Sequence, residues 1–150
     1  MFVIFDLDGT LCDISHRTHF VADGRKKWKD FFEACVDDVP NQPVIDTLLA
    51  HAAAGNRVEI WSGRSDMVLG QTREWLRQNG AIDRYLTRMR PKKSYERDDA
   101  LKERWLLAEP EKPALVYDDR QRVVDMWRRH GIVCAQVAQW DEPKRHSGRR

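Results

Sequence analysis

The sequence has few cysteines, and none of them is placed to form a bridge or to bind a metal. Cys12, Cys35 and Cys134 make no CxxC pair, and the histidines beside them show no metal-ligand spacing. A disulfide framework and a structural zinc site are therefore excluded, and a reducing compartment is indicated. The net charge is only +2, which argues against a protein that coats nucleic acid non-specifically.

Long hydrophobic runs are also absent. No apolar segment approaches the length of a membrane span, and the few residues before Asp6 are too short for a signal peptide. We expect a cytoplasmic protein without membrane contact. A hydrophobic fraction of 41% in 150 residues is enough for one core. We therefore predict one domain over residues 1–140, followed by a basic, flexible C-terminal tail at 141–150.

Short apolar segments alternate with segments of helical periodicity. Buried strands are predicted at Phe2–Phe5, Arg57–Trp61, Ala114–Tyr117 and Ile132–Val137. Helices are predicted at 28–35, from Pro43 to Gly55, from Ser65 to Gly80, at 95–108 and around Val123–Trp127. This alternation predicts an α/β fold with a doubly wound, mainly parallel sheet.

Three of these strands end in polar clusters: Asp6-Leu7-Asp8, Ser62-Gly63-Arg64 and Asp118-Asp119. In open parallel sheets, ligands bind beyond the carboxyl ends of the strands. A lone Asp-x-Asp is more often a solvated turn, but a second acidic pair at another strand end favours a shared site. Converging carboxylates repel one another, and a hard cation relieves that repulsion. We therefore predict Mg²⁺ held among Asp6, Asp8, Asp118 and Asp119.

These residue types suit phosphoryl transfer. Asp6 can act as nucleophile, and Asp8 can protonate the leaving oxygen and then deprotonate water. The hydroxyl of Ser62 and the amide of Gly63 can donate hydrogen bonds to the phosphoryl oxygens. A lysine would supply positive charge, and residue chemistry alone leaves Lys102, Lys92 and Lys93 as candidates for it.

The strand-end motifs resemble those of a known superfamily. Asp-Leu-Asp-Gly-Thr-Leu at 6–11 is similar to the first motif of haloacid dehalogenase (HAD) phosphatases, Ser62 to the second and Asp118-Asp119 to the fourth. Further segments resemble the 3′-phosphatase domain of phage polynucleotide kinase-phosphatase, and this likeness reaches to about residue 141. They are Trp61–Arg64, Arg97–Glu103, Tyr117–Arg120, Val123–Arg128 and Gly131–Ala138.

The resemblance implies a Rossmann-like HAD fold with a minimal cap and a role for each matching residue. It implies that Asp6 is the nucleophile, Asp8 the general acid and base, and Asp118 and Asp119 the residues nearest Mg²⁺. It further implies a phosphate and substrate site formed by Ser62, Lys102, Arg17, Gly63, Arg64, Arg90 and Asp98. The chain carries no GxxxxGK[ST] motif, so we expect no kinase activity from it.

Two substrate classes remain open for such a phosphatase. The first is 3′-phosphate on polynucleotide ends or 3′-nucleotides, and the alternative is small nucleoside monophosphates. The segments between the motifs are too short for a separate lid, and residues 84–104 carry eight Lys and Arg against four Asp and Glu, which suits a polymer. A receiver domain is disfavoured because its acceptor aspartate would end a middle strand, where Ser62 stands. A homodimer is a further expectation.

Overall fold

The computed structural model describes residues 1–139, so the predicted tail at 141–150 lies outside the described residues. Strands and helices alternate along most of this range. The strands are β1 (Phe2–Phe5), β2 (Cys12–Asp13), β3 (Val39–Pro40), β4 (Arg57–Ser65), β5 (Leu86–Arg90), β6 (Leu115–Asp118) and β7 (Val133–Gln136). The helices are α1 (Trp28–Glu33), α2 (Gln42–Ala53), α3 (Leu69–Gln78), α4 (Asp98–Ala108) and α5 (Gln121–Arg129).

Five strands form one parallel sheet in the order β5-β4-β1-β6-β7. Helices cover both of its faces, because the side chains of β1 alternate between two apolar layers. Val3 and Phe5 belong to the layer that includes residues of α2 and α3, whereas Phe2 and Ile4 belong to the layer that includes residues of α4 and α5. The predicted doubly wound α/β fold is confirmed.

Strand register aligns the three polar clusters. Phe5, the last residue of β1, lies beside Ile60 of β4 and Tyr117 of β6. The residues that follow these three positions therefore emerge side by side at one edge of the sheet. The amide of Asp6 continues the ladder by donating to the carbonyl of Tyr117 at 2.9 Å.

Strand β5 was not predicted from the sequence, which indicated no strand between Gly80 and the helix at 95–108. Leu86–Arg90 pairs in parallel with β4, and Arg90 is its last residue. Its sequence, Leu-Thr-Arg-Met-Arg, is too basic to indicate a buried strand, but β5 is an edge strand, where charged side chains reach solvent. The pairing also extends β4 to Ser65, so Ser62, Gly63 and Arg64 are strand residues rather than a following turn.

Most of the chain between β1 and α2 forms a small structure beside the sheet. It contains α1, short 3₁₀ turns and the two-residue antiparallel pair of β2 and β3. Phe31, Phe32 and Cys35 form their own apolar cluster there with Val68. This segment is the minimal cap of the fold. Within residues 1–139, no helix is long and apolar enough to cross a membrane, and a cytoplasmic location remains a prediction.

Candidate active site

A carboxylate cluster lies where β1 and β6 end. Oxygens of Asp6, Asp118 and Asp119 all lie within 4.8 Å of one another, and all three residues are buried. The Thr10 hydroxyl lies 3.1 Å from Asp6 Oδ2 and 3.3 Å from Asp119 Oδ1, so it can donate to either carboxylate. The register of the two neighbouring strands thus brings together side chains that are more than one hundred residues apart in sequence.

Lys102 is the counter-charge of this cluster. Its Nζ donates to Asp6 Oδ1 at 2.6 Å and to Asp118 Oδ2 at 3.1 Å, and the side chain is buried. Lys92 and Lys93, the other candidates for this role, are exposed. Burial would lower the pKa of Lys102, but the charges of Asp118 and Asp6 raise it well above its ordinary value. The ammonium therefore stays charged.

One ammonium does not balance three carboxylates. Burial and the charge of Asp118 raise the pKa of Asp6 well above its ordinary value. The same causes raise the pKa of Asp119 to about 6. The cluster therefore carries more negative charge than its surroundings neutralise at neutral pH. Within residues 1–139, no imidazole or thiol belongs to this group of three carboxylates, and such an all-oxygen donor set suits a hard divalent cation such as Mg²⁺.

The Asp8 carboxylate belongs to a second cluster. Asp8 Oδ1 accepts from Arg17 Nη2 at 2.8 Å and from both Nε and Nη2 of Arg64. Burial would raise the pKa of Asp8, but the charges of Arg64 and Arg17 outweigh it and hold the pKa well below its usual range. The Asp8 side chain lies with these guanidiniums and in a different group from Asp6, Asp118 and Asp119, and its role as a metal ligand stays a prediction.

Asp38 completes this second cluster and was missed by sequence reasoning. Its carboxylate accepts from Arg17 Nε at 2.8 Å, from Arg64 Nη2 at 3.0 Å and from Cys12 Sγ at 3.3 Å, and lies 2.7 Å from His16 Nε2. The side chain is fully buried. Arg17 and Arg64 are buried as well, so two carboxylates and two guanidiniums neutralise one another here. No local pattern marks Asp38, because it follows another aspartate in a polar segment.

A third group of contacts joins β4, β5 and α4. Arg90 Nε donates to the carbonyl of Gly63 at 2.7 Å, and Arg90 Nη2 donates to Asp98 Oδ1 at 2.8 Å. A Cβ at position 63 would collide with the Asp98 carboxylate, so a larger residue there would have to displace that carboxylate from Arg90. The amide of Arg64 donates to Ser62 Oγ at 3.0 Å, which leaves the hydroxyl hydrogen of this buried serine for another acceptor.

Arg120 is the second residue that sequence reasoning did not assign to the site. Its Nη1 donates to Asp98 Oδ2 at 3.3 Å, so Asp98 binds Arg90 with one oxygen and Arg120 with the other. Burial would raise the pKa of Asp98, but the charges of Lys102, Arg120 and Arg90 hold it below its ordinary value. The position of Arg120 directly after Asp118-Asp119 was the signal that could have identified it.

The structure thus brings every predicted site residue to one edge of the sheet, in three adjoining groups. Phosphoryl transfer needs hydrogen-bond donors and positive charge around the phosphoryl oxygens. The buried serine and the guanidiniums can supply these, and the carboxylate cluster can supply a nucleophile. The phosphate oxygens would meet the guanidiniums, and a cation would meet Asp6, Asp118 and Asp119.

Comparison with known proteins agrees with this chemistry. Residues 1–141 match the family model of the polynucleotide kinase PNKP phosphatase domain. A chain in the Pnkp1/Rnl/Hen1 RNA repair complex is similar at 31% sequence identity and a TM-score of 0.75, with 93% of this chain and 43% of that chain covered. The present chain therefore spans less than half the length of that protein.

Two further solved structures share the architecture. The class C acid phosphatase from Bacillus anthracis is 25% identical, with a TM-score of 0.55, over 81% of this chain and 52% of that chain. A haloacid dehalogenase-like hydrolase from Streptococcus pneumoniae is 15% identical, with a TM-score of 0.61, over 91% of this chain and 83% of that chain. At that identity the second likeness concerns the fold alone.

The buried ion pairs of Asp38 generate a stability prediction. Asp38→Ala removes an acceptor of both Arg17 and Arg64, and leaving buried guanidiniums partly unpaired should lower the free energy of unfolding by about 3–5 kcal/mol. Asp37→Ala is the matched control, because the neighbouring aspartate is exposed, and it should change stability by less than about 0.5 kcal/mol. Urea denaturation followed by circular dichroism measures both. Equal small losses would show that the arginines do not depend on Asp38.

Proposed function

The chain belongs to the family of polynucleotide kinase PNKP phosphatase domains, which are phosphoric monoester hydrolases, and from this we propose that it removes 3′-phosphate from polynucleotide ends. The observation that carries the proposal is the convergence of Asp6, Asp118, Asp119 and Lys102 at the strand end that also holds the buried guanidiniums of Arg17 and Arg64. The similar chain in an RNA repair complex supports polynucleotides as substrate. A homodimer stays a prediction.

Asp6 is the proposed nucleophile. Lys102 holds its Oδ1 and Thr10 lies within hydrogen-bond distance of its Oδ2, so the carboxylate is fixed at the rigid end of β1. Attack on phosphorus forms an aspartyl-phosphate and breaks the bond to the 3′-oxygen, and water then hydrolyses the acyl-phosphate. Mg²⁺ held by Asp6, Asp118 and Asp119 would neutralise their charge and that of the phosphoryl group. The hydroxyl of Ser62 donates to a phosphoryl oxygen.

Asp8 is the proposed general acid and base, and its two arginine partners control its proton. In the described state Arg17 and Arg64 keep Asp8 ionised. A phosphate dianion competes for the same guanidiniums, because phosphate oxygens accept from them as carboxylates do. Once the guanidiniums turn to the phosphate, the pKa of Asp8 rises. Asp8 can then take up a proton, give it to the leaving 3′-oxygen, and afterwards accept one from the attacking water.

Removing the nucleophile should abolish turnover without unfolding the chain. Asp6→Asn keeps the shape of the side chain but cannot form the acyl-phosphate, so kcat should fall by more than about a thousandfold. The same change removes a buried carboxylate whose pKa is raised by burial and by the charge of Asp118, so the metal-free variant should be more stable than wild type at pH 7. Steady-state kinetics with Mg²⁺ test the first effect, and urea denaturation in EDTA tests the second. A covalent phosphoryl group trapped on another residue would contradict the assignment.

The cation is predicted to stabilise the fold as well as to support turnover. EDTA should stop the reaction and Mg²⁺ should restore it, because the uncompensated carboxylates repel a phosphate dianion. Mg²⁺ should also raise the thermal midpoint of wild type, through binding to the folded state. Asp118→Ala should lose that rise and need far more Mg²⁺ for turnover. Full activity in chelator, or an equal rise in the variant, would refute a metal at this cluster.

A substrate panel tests the proposed function itself. We expect 3′-phosphorylated oligonucleotides and 3′-nucleotides to be hydrolysed faster than 5′-nucleotides, in kcat/KM. Changing both Lys92 and Lys93 to Gln should mainly reduce the advantage of longer oligonucleotides, and added salt should do the same to wild type. Faster turnover of 5′-monophosphates or sugar phosphates would favour a small-molecule phosphatase instead.

A further inference from the structure

Tyr95 is the most exposed large aromatic side chain in the described part of the chain. It is 85% exposed, and among residues 1–139 it has no side-chain hydrogen bond and no ring partner. Single exposed aromatic residues are common on protein surfaces and usually need no explanation. The position of Tyr95 relative to the candidate active site distinguishes it from such residues.

Arg90 ties the backbone on both sides of Tyr95 to the site. Its Nη1 donates to the carbonyls of Ser94 and Glu96, the two chain neighbours of Tyr95. Two other nitrogens of the same guanidinium donate to the carbonyl of Gly63 and to Asp98. Tyr95 therefore sits on a segment bound to the residue next to Ser62, at the rim of the proposed phosphate pocket.

The segment is also held in one conformation by its own turn. The amide of Ser94 donates to the carbonyl of Pro91 at 3.0 Å, and the amide of Lys92 donates to Asp66 Oδ1 at 2.9 Å. Lys93 completes the turn with φ at 67°, in the left-handed region that side chains rarely adopt. The aromatic ring is thus presented by a preorganised loop, which reduces the ordering cost of a ligand that contacts it.

The charge around Tyr95 is suited to an anionic polymer. Lys92 and Lys93 are exposed, and neither has an ion pair within residues 1–139. The acidic neighbour Glu96 is already paired with Arg104 at 2.7 Å. The loop therefore offers an aromatic face next to free cations. This is the combination that binds single-stranded nucleic acid through base stacking and backbone phosphates.

We propose that Tyr95 is a stacking platform for the nucleobase of the nucleotide that carries the 3′-phosphate. The inference rests on the proposed function and adds to it a nucleobase subsite beside the phosphate pocket. Every base has a π face, so the subsite distinguishes nucleotides from phosphate esters without a base and tolerates any base sequence. Stacking of the base would also orient the terminal sugar, so that its 3′-phosphate meets Asp6 even though the site has no large lid.

The test compares two substrates that differ only in the base. One is a single-stranded oligonucleotide with a 3′-phosphate on a normal terminal nucleotide. The other has the same length and phosphate but ends in a stable tetrahydrofuran abasic residue. Wild type, Tyr95→Ala and Tyr95→Phe are measured on both, with Leu107→Ala as control. Leu107 is 71% exposed at the far end of α4, so its truncation matches the loss of exposed apolar surface away from the site.

Tyr95→Ala should raise KM for the base-bearing substrate roughly five- to hundredfold and leave kcat unchanged, because stacking binds ground state and transition state alike. The abasic substrate should be unaffected, Tyr95→Phe should resemble wild type, and all variants should share one thermal midpoint. An unchanged KM in Tyr95→Ala, or an equal loss on both substrates, would overturn the inference while leaving the proposed function intact. If wild type fails on both 3′-phosphates yet hydrolyses other monoesters, the proposed function fails and the stacking site with it.

Discussion

The buried excess of negative charge at the end of β1 is the constraint on which the other features of the site depend. Asp6, Asp118 and Asp119 are forced together by parallel strand register, and Lys102 offsets only part of their charge. Such a cluster costs stability in the metal-free chain, as the raised pKa of Asp119, about 6, indicates. In the proposed function this cost is offset, because the same cluster would bind a cation beside the phosphoryl group.

The second cluster also buries charge, but here the charges that need counter-ions are positive. Arg17 and Arg64 are positive charges buried under the small cap, and Asp38 and Asp8 neutralise them until an anion arrives. Asp38 is closed in by the cap segment, whereas Asp8 faces the site, so the two carboxylates can have different roles. In the proposed mechanism, Asp38 keeps the guanidiniums in place and Asp8 gives up its contacts with them when the phosphate binds. The adjoining Arg90–Asp98 pair then extends the guanidinium groups toward the exposed loop at Tyr95.

Much of this arrangement follows from local sequence. The strands β1, β4, β6 and β7 contain short apolar segments, and the acidic or serine residues directly after three of these segments mark the candidate site. The order of these motifs supported the family resemblance, which the family match confirms. Strand β5 was missed because Leu-Thr-Arg-Met-Arg has neither the apolar run of a buried strand nor a strict alternation of apolar and polar residues.

Residue order alone was sufficient for the fold class and for the convergence of Asp6, Ser62 and the Asp118-Asp119 pair at one end of the sheet. It could not separate Lys102 from Lys92 and Lys93, or Asp38 from Asp37, since these choices depend on which side chain is buried against a distant partner. It also gave no sign that folding brings Arg17 and Arg64 to the Asp8 carboxylate from two other segments, and the role of Asp8 as a metal ligand stays a prediction. Local sequence specifies periodicity and strand ends, but the pairing of buried charges is set by long-range packing, because each charge must find its counter-ion within a few ångströms.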